Sequence, residues 1–340
     1  MQSELPVSYA HKLRLTGETK GAHSPQSKYI YLRKLEVLWR PFTESMASLL
    51  ADSPYLEEVS VETRRIDPLF FEALPKCPNL EGLRLENVDM KSIMEQLLPV
   101  LRECSNLSSL CLSNNNLTSL AEFGPVIYNN TTLRSLDFSH NSISPKSLPE
   151  LAAGLAQLTN LTALNMEAVA TNSIMLSRLD NLFAKLPHLT YLNLSRNFIR
   201  DACQLAKMLK QCHALVDLRL DELDHSKSAD LMELIQVFPT LPNLHRLDFN
   251  GNKIGLLDPF CDYLAQCTRM EVLHLRDNAI GDTYLKTLTG ALPVSLTELN
   301  LQKNRGDDEG IIALLTSLPI RLTNLSSLAM GYNKTSPTGE

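Results

Sequence analysis

Leu189-Thr190-Tyr191-Leu192-Asn193-Leu194-Ser195-Arg196-Asn197 reads Leu-x-x-Leu-x-Leu-x-x-Asn, and the same frame returns along nearly the whole chain. Its first position aligns with Leu32, Leu56, Leu80, Leu107, Leu133, Leu161, Leu215, Leu244, Met270, Leu296 and Leu325. Positions four and six stay apolar, as in Leu110 and Leu112, Leu136 and Phe138, Leu247 and Phe249, and Leu273 and Leu275. The first two steps are 24 residues and the later ones 26 to 29. Internal repetition outranks every other reading, because repeat arrays grow along one axis whatever their length.

Each unit changes its apolar period part-way. The x-Leu-x-Leu-x core alternates as a strand does, with its leucines turned to one side. The following segment takes helical spacing. Leu148, Leu151, Ala152, Leu155 and Leu158 lie on one helix face. Asp258-Pro259 supplies an N-cap and an N1 proline ahead of Phe260 and Leu264. Pro78, Pro187, Pro242 and Pro293 stop helices just before the next strand. Each unit therefore reads as strand, turn, helix, return. Parallel strands stack about 4.8 Å apart, whereas packed helices need roughly 8–10 Å. The mismatch bends the stack with strands inside, and the 24-residue units predict shorter convex segments and gentler local curvature.

Position nine carries Asn115, Asn141, Asn197, Asn252, Asn278, Asn304 and Asn333. A carboxamide both donates and accepts, so a column of them can tie neighbouring buried turns together. Arg40, Arg64, Val88, Val169 and Leu223 depart from the rule. Their turns must be satisfied otherwise or loop outward.

This pattern, over residues 29–333, resembles the leucine-rich repeat family, and the longer units are similar to its ribonuclease-inhibitor-like class. The resemblance implies an α/β solenoid, a horseshoe with a parallel β-sheet on the concave face and helices on the convex face. About twelve units would fill residues 29–333. Residues 1–28 read as an N-terminal cap or degenerate first repeat, in which Ala10, Leu13 and Leu15 fit the frame loosely and Ser24 to Ser27 form a loop. Residues 334–340 read as a tail, which either covers the open end of the last unit or is followed by further chain.

Composition narrows the function classes. Aromatics are 6% of the chain, so the core rests on leucine, and a formal net charge of -6 without a basic block leaves no footprint for a phosphate backbone. No apolar run approaches the 18 or so residues of a membrane span. The N-terminus lacks the pattern of a secretory signal, and seven cysteines without a paired framework point to a reducing cytosol. Cys77, Cys104, Cys212 and Cys267 each precede a strand's opening position by three residues. They read as equivalent core thiols rather than metal ligands. Cys111 is placed on the concave side, accessible. His245 and His274 fall on neighbouring strands, where the two rings can approach each other across the concave face, without a third ligand. Asn193-Leu194-Ser195 is an acceptor tripeptide generated by the repeat itself. No phosphate-binding, zinc-protease or nucleophile-elbow motif is present. The expectation is a monomer without catalysis, cofactor or metal.

Concave side chains are not needed for the core, and function is expected there. The first units offer Glu36, Glu57, Glu58, Glu62, Glu81 and Glu86, relieved by Arg33, Lys34 and Arg84. Trp39 is either a cap on the first unit's core or a binding anchor. Farther on the face turns to mixed charge with Tyr191, Arg196, Asp217, Arg219, Asp221, Arg246, Asp248, His274 and Arg276. The plain alternative is a solvated face of lateral ion pairs. Tyrosine and arginine are favoured in interface hot spots, so these residues with Trp39 are the candidate protein-binding site. The partner's identity is not written in the sequence.

Two settings resemble this chain. One is the leucine-rich-repeat effectors that intracellular bacteria such as Legionella deliver into host cytosol, which irregular unit lengths suit. The other is a cytosolic eukaryotic adaptor or inhibitor similar to ribonuclease inhibitor. The activators of the GTPase Ran share the repeat type but carry a strongly acidic C-terminal tail, which the ending Asn333 to Glu340 does not match.

Overall fold

The computed structural model describes residues 11–16, 31–39, 42–128, 130–169, 179, 181–199, 202–223, 228–256 and 259–334. Arg40, the loop at 24–27, Asp258 and the tail beyond Lys334 lie outside them. The chain divides into two compact units, Met1–Leu164 and Asn165–Glu340.

In the first unit the strands are β1 (Lys12–Thr16), β2 (Lys34–Leu38), β3 (Glu58–Glu62), β4 (Gly82–Glu86), β5 (Ser109–Cys111) and β6 (Ser135–Asp137), with β7 (Ala163–Asn165) at the boundary. In the second they are β8 (Tyr191–Asn193), β9 (Asp217–Arg219), β10 (Arg246–Asp248), β11 (Val272–His274), β12 (Glu298–Asn300) and β13 (Ser327–Ala329). Within each unit neighbours pair in parallel and in chain order. β1 joins β2 with Leu13 beside Leu35 and Leu15 beside Val37, so a strand stands ahead of the first clear frame.

The apolar positions behave as the alternation requires. Leu192, Leu194, Leu218, Leu220, Leu247 and Phe249 are all fully buried. Between strands lie the helices α1 (Glu44–Ala51), α2 (Leu69–Ala73), α3 (Met90–Glu103), α4 (Phe123–Ile127), α5 (Leu148–Leu155), α6 (Ala202–Leu209), α7 (Ser228–Ile235), α8 (Phe260–Leu264), α9 (Asp282–Ala291) and α10 (Asp308–Arg321), with short 3-10 turns. Leu148, Leu151 and Leu155 of α5 are fully buried, as is Leu158 beyond its end. Pro259 occupies the N-cap of α8 rather than its N1 position.

Helix length does not follow unit length, contrary to the expectation from the 24-residue units. The unit opening at Leu32 carries the eight-residue α1, whereas the longer units opening at Leu107 and Leu244 carry five-residue α4 and α8. The additional residues enter the stretch between strand and helix. Nor does every proline stop a helix. Pro99 and Pro319 stand inside the 14-residue α3 and α10. Each faces solvent, as do Glu95 and Leu315 one turn earlier, so water can serve the carbonyl that loses its N–H partner.

The turn after each strand has two regular features. Position eight is left-handed in eleven units, at Trp39, Asn87, Asn114, His140, Ala168, Arg196, Glu222, Gly251, Asp277, Lys303 and Tyr332. That conformation costs an ordinary side chain roughly 1–2 kcal/mol, and the turn recovers it through pairing. Arg196 N–H donates to Asp221 O at 2.7 Å, and Glu222 N–H to Asn250 O at 2.8 Å. At position nine the amide enters the core. Asn278 Oδ1 accepts from Asn252 N–H at 2.8 Å and Asn278 Nδ2 donates to Phe249 O at 2.8 Å. Asn141 and Asn304 repeat the arrangement on their preceding units.

The departures from asparagine are explained by the same bonds. Val88, Val169 and Leu223 are buried, and their N–H groups donate to Asn115, Asn197 and Asn252 of the following unit. An apolar residue at position nine therefore keeps its backbone satisfied from one side while its side chain joins the core. Arg64 is exposed.

Asn278 is fully buried, whereas Asn333 is partly exposed. Asn278→Ala should lower unfolding stability by about 1–3 kcal/mol, because it leaves buried backbone groups unpaired. Asn333→Ala should cost less, and chemical denaturation of the two variants measures the difference.

Candidate functional site

Tyr191, Asp217, Arg219, Arg246, Asp248 and His274 sit at positions three and five, on the strand face opposite the buried leucines, while Asp221, Arg276 and Arg196 follow at positions seven and eight. Register aligns Tyr191, Asp217, Arg246, Val272 and Glu298 in one row, and Asn193, Arg219, Asp248, His274 and Asn300 in the next. Parallel spacing then sets neighbours within reach of one another.

The rows make a continuous network. Arg219 lies over the Tyr191 ring at 5.1 Å from its centre, and its Nε and Nη2 donate to the two Asp217 oxygens at 3.2 and 3.1 Å. Arg219 Nε is also 3.5 Å from Asp248 Oδ2. Arg246 Nη2 approaches Asp248 Oδ1 at 3.1 Å, and its Nε lies 3.9 Å from Asp217. His274 bridges Asp248 Oδ1 through Nδ1 and Glu298 Oε1 through Nε2, both at 2.9 Å.

Asp248 is the centre of this arrangement. Only 5% of it is exposed. A buried carboxylate without partners would be strongly destabilising, whereas exposed pairs contribute roughly 0–1 kcal/mol. Lateral ion pairs are present, as the plain alternative expects, and the burial of Asp248 is what sets this spot apart from a solvated face. Burial pushes the Asp248 carboxyl up, but the hydrogen bond and charge of His274 and then Arg246 outweigh it, and the net shift is downward. Conversely, the bond to Asp248 raises His274 above 6.5, against burial, with Glu298 adding to it. The 3.3 Å approach of Arg246 Nη2 to His274 Nδ1 sets two donors together when the ring is protonated, and opposes that rise.

Asp221 flanks the network. Its Oδ1 accepts from Asn250 N–H at 2.7 Å, and burial raises its carboxyl to about 6, with Asp248 adding repulsion. Arg196 stands apart at the turn, 3.7 Å from Glu167 and 3.6 Å from Glu222. Arg276 fixes its backbone N–H on Asn250 Oδ1 at 2.7 Å.

Six of the ten candidates thus join one network: Tyr191, Asp217, Arg219, Arg246, Asp248 and His274. Sequence reading missed Glu298 and Asn250. Glu298 occupies position three of its frame, which is the signal that could have found it. Trp39 lies in the first unit. It is 68% exposed, so it does not cap the core, and its Nε1 donates to Glu62 at 2.7 Å.

Two other expectations need correction. Cys111 is buried with 7% exposed, its Sγ 3.4 Å from Ser113 Oγ, because it ends β5 beside a compact serine turn. Register places His274 beside Asp248 rather than beside His245, whose Nδ1 lies 2.6 Å from Asn243 O. Cys77, Cys104, Cys212 and Cys267 are buried, and desolvation raises Cys77, Cys212 and Cys267 to about 12 and Cys104 to about 11. Asn193 of the acceptor tripeptide is 3% exposed.

The sequence pattern of the family described as Leucine Rich repeat matches residues 129–152, 185–202, 266–283 and 294–315. These are leucine-rich repeats. The fold is an α/β leucine-rich-repeat solenoid. A Tonsoku-like protein from Bos taurus is 30% identical over 240 residues, which is 58% of this chain and 16% of that protein. The chain therefore spans about a sixth of that relative's length. An internalin from Listeria monocytogenes superposes with a TM-score of 0.54 at 21% identity, covering 96% of this chain and 82% of that one. That likeness concerns the fold.

The sign of the His274 shift makes a pH test. Its raised value contributes stability that is fully present below about 6.5 and is lost as pH rises through its folded value. Nuclear magnetic resonance titration should place the ring's midpoint above 6.5, and Asp248→Asn should bring it down. A midpoint at or below 6.5 in the parent protein would contradict the geometry.

Proposed function

We propose that this chain is a non-catalytic protein-binding module whose contact surface is the open strand face of the second unit. One observation carries the reading: Tyr191, Arg219, Arg246 and His274 are held in place by one another around buried Asp248 before any partner arrives. Side chains already ordered lose little entropy on binding, so contacts to them translate more fully into affinity. Arginine and tyrosine are the types on which interface energy concentrates. Arg276 and Arg196 at the margins supply charge for orienting the partner.

The partner is a protein, met by a monomer, and the reading involves neither nucleic acid nor membrane. Residues 29–333 form the repeat domain, with residues 1–28 as its cap or degenerate first repeat. One setting is a cytosolic eukaryotic adaptor or inhibitor. A delivered bacterial effector acting in host cytosol is the other, and irregular unit lengths are what favour it. Cytoplasmic residence suits both, given seven cysteines without a paired framework in the sequence. GTPase activation of the Ran type stands last, since nothing on the strand face favours it.

The test spares the buried carboxylate. Tyr191→Ala with Arg276→Glu should reduce capture of specific proteins from lysate at least tenfold, read by quantitative mass spectrometry, with thermal unfolding showing an intact fold. The same captured set at the same yield would overturn the proposal.

A further inference from the structure

The strand face of the first unit is built differently. Where the second unit carries arginine, tyrosine and histidine, β3 to β6 carry Ser60, Gly82, Ser109, Cys111 and Ser135. These short side chains sink the floor and leave a hollow of about 700 Å³ along the open face.

Charge around this hollow is unbalanced. Its walls hold Arg14, Lys34 and Arg84 against Glu36, Glu58, Glu62, Glu81, Glu86 and Asp137. Each cation is already committed. Arg14 lies 2.9 Å from Glu36, Lys34 2.6 Å from Glu58, and Arg84 3.2 Å from Glu86. Glu36 takes a second cation, Lys12 at 2.7 Å. Glu62 instead accepts neutral donors, the Trp39 indole N–H at 2.7 Å and Asn87 Nδ2 at 3.0 Å. Its charge is therefore held in place without being cancelled by those bonds.

Trp39 stands at the rim of the same hollow. Its backbone is in the left-handed region, φ 55°, and the bond to Glu62 ties its ring to that carboxylate. An exposed aromatic face beside an anion is an arrangement that favours a cation, since the ring quadrupole and the carboxylate attract the same charge. Shape, charge and aromatic placement coincide here.

We propose that the hollow of the first unit is a second docking surface, which takes an extended, lysine- or arginine-rich segment of a partner protein. A basic side chain stacks on Trp39 with its charge toward Glu62, and a further basic side chain lies along Glu81 over the small-residue floor. Binding is electrostatic in part and weakens with salt. It does not depend on the second-unit surface proposed above, and the two fail separately.

Trp39 is the chain's single tryptophan, so its fluorescence reports this hollow alone. The full chain is titrated with octa-arginine and, separately, with octa-glutamate at low salt. The expected result is a saturable emission change with octa-arginine, weakened by added salt and absent with octa-glutamate. Glu62→Gln with Glu81→Gln, which keeps an acceptor for the indole, should weaken it at least tenfold while leaving the captured proteins of the second-unit test unchanged. No saturable change with octa-arginine, an equal response to octa-glutamate, or undiminished affinity in the double variant would overturn the proposal. Concentration-dependent self-association that alone changes the emission would assign the hollow to a second copy instead, and would overturn it too.

Discussion

Most of the described units turn sharply at the end of the strand and bury the turn, which removes backbone N–H and C=O groups from water. Those groups need partners, because an orphaned one costs about 1–3 kcal/mol. The position-nine carboxamide solves this by accepting from one turn and donating to another carbonyl of the preceding unit, as Asn278 does for Asn252 N–H and Phe249 O. Stability in such an array is approximately a sum of nearest-neighbour terms. The amide column is one of those terms, and leucine burial is the other.

Because these two terms lie on the helix side and at the turn, the open strand face can vary. The two units use that freedom in different ways. In the second, long side chains fill the face and pair around Asp248, giving a preorganised surface. In the first, serines and Gly82 leave it hollow, rimmed by carboxylates and Trp39. The same backbone thus presents one filled face and one recessed face. The left-handed position eight adds a row at the margin, where Arg196 and Trp39 project beyond the strand ends.

Strand positions, core leucines and the amide column were legible because each follows from a period or a repeated residue type. The placement of Asp217, Arg219, Arg246, Asp248 and His274 on one face was legible for the same reason. Their mutual contacts were not, since register between strands 26 to 29 residues apart decides which side chains meet. Glu298 was legible from its position three and was passed over, whereas register alone sets His274 beside Asp248 and away from His245. Cys111 shows a second limit: periodicity tells which side a residue faces, but its neighbours, Ser113 among them, decide its burial. The left-handed turn left a trace in Asn87, Asn114, His140, Gly251 and Asp277, residue types that tolerate it. Trp39 and Glu222 at the same position obscured it.

Val88, Val169 and Leu223 lack the asparagine, yet their N–H groups are bonded to the next unit's amide. Hydrogen exchange of these three amides, compared with the strand amides of Leu192 and Leu247, tests that directly. All five should exchange at similarly slow rates. Rates for Val88, Val169 and Leu223 near those of open loops would contradict it.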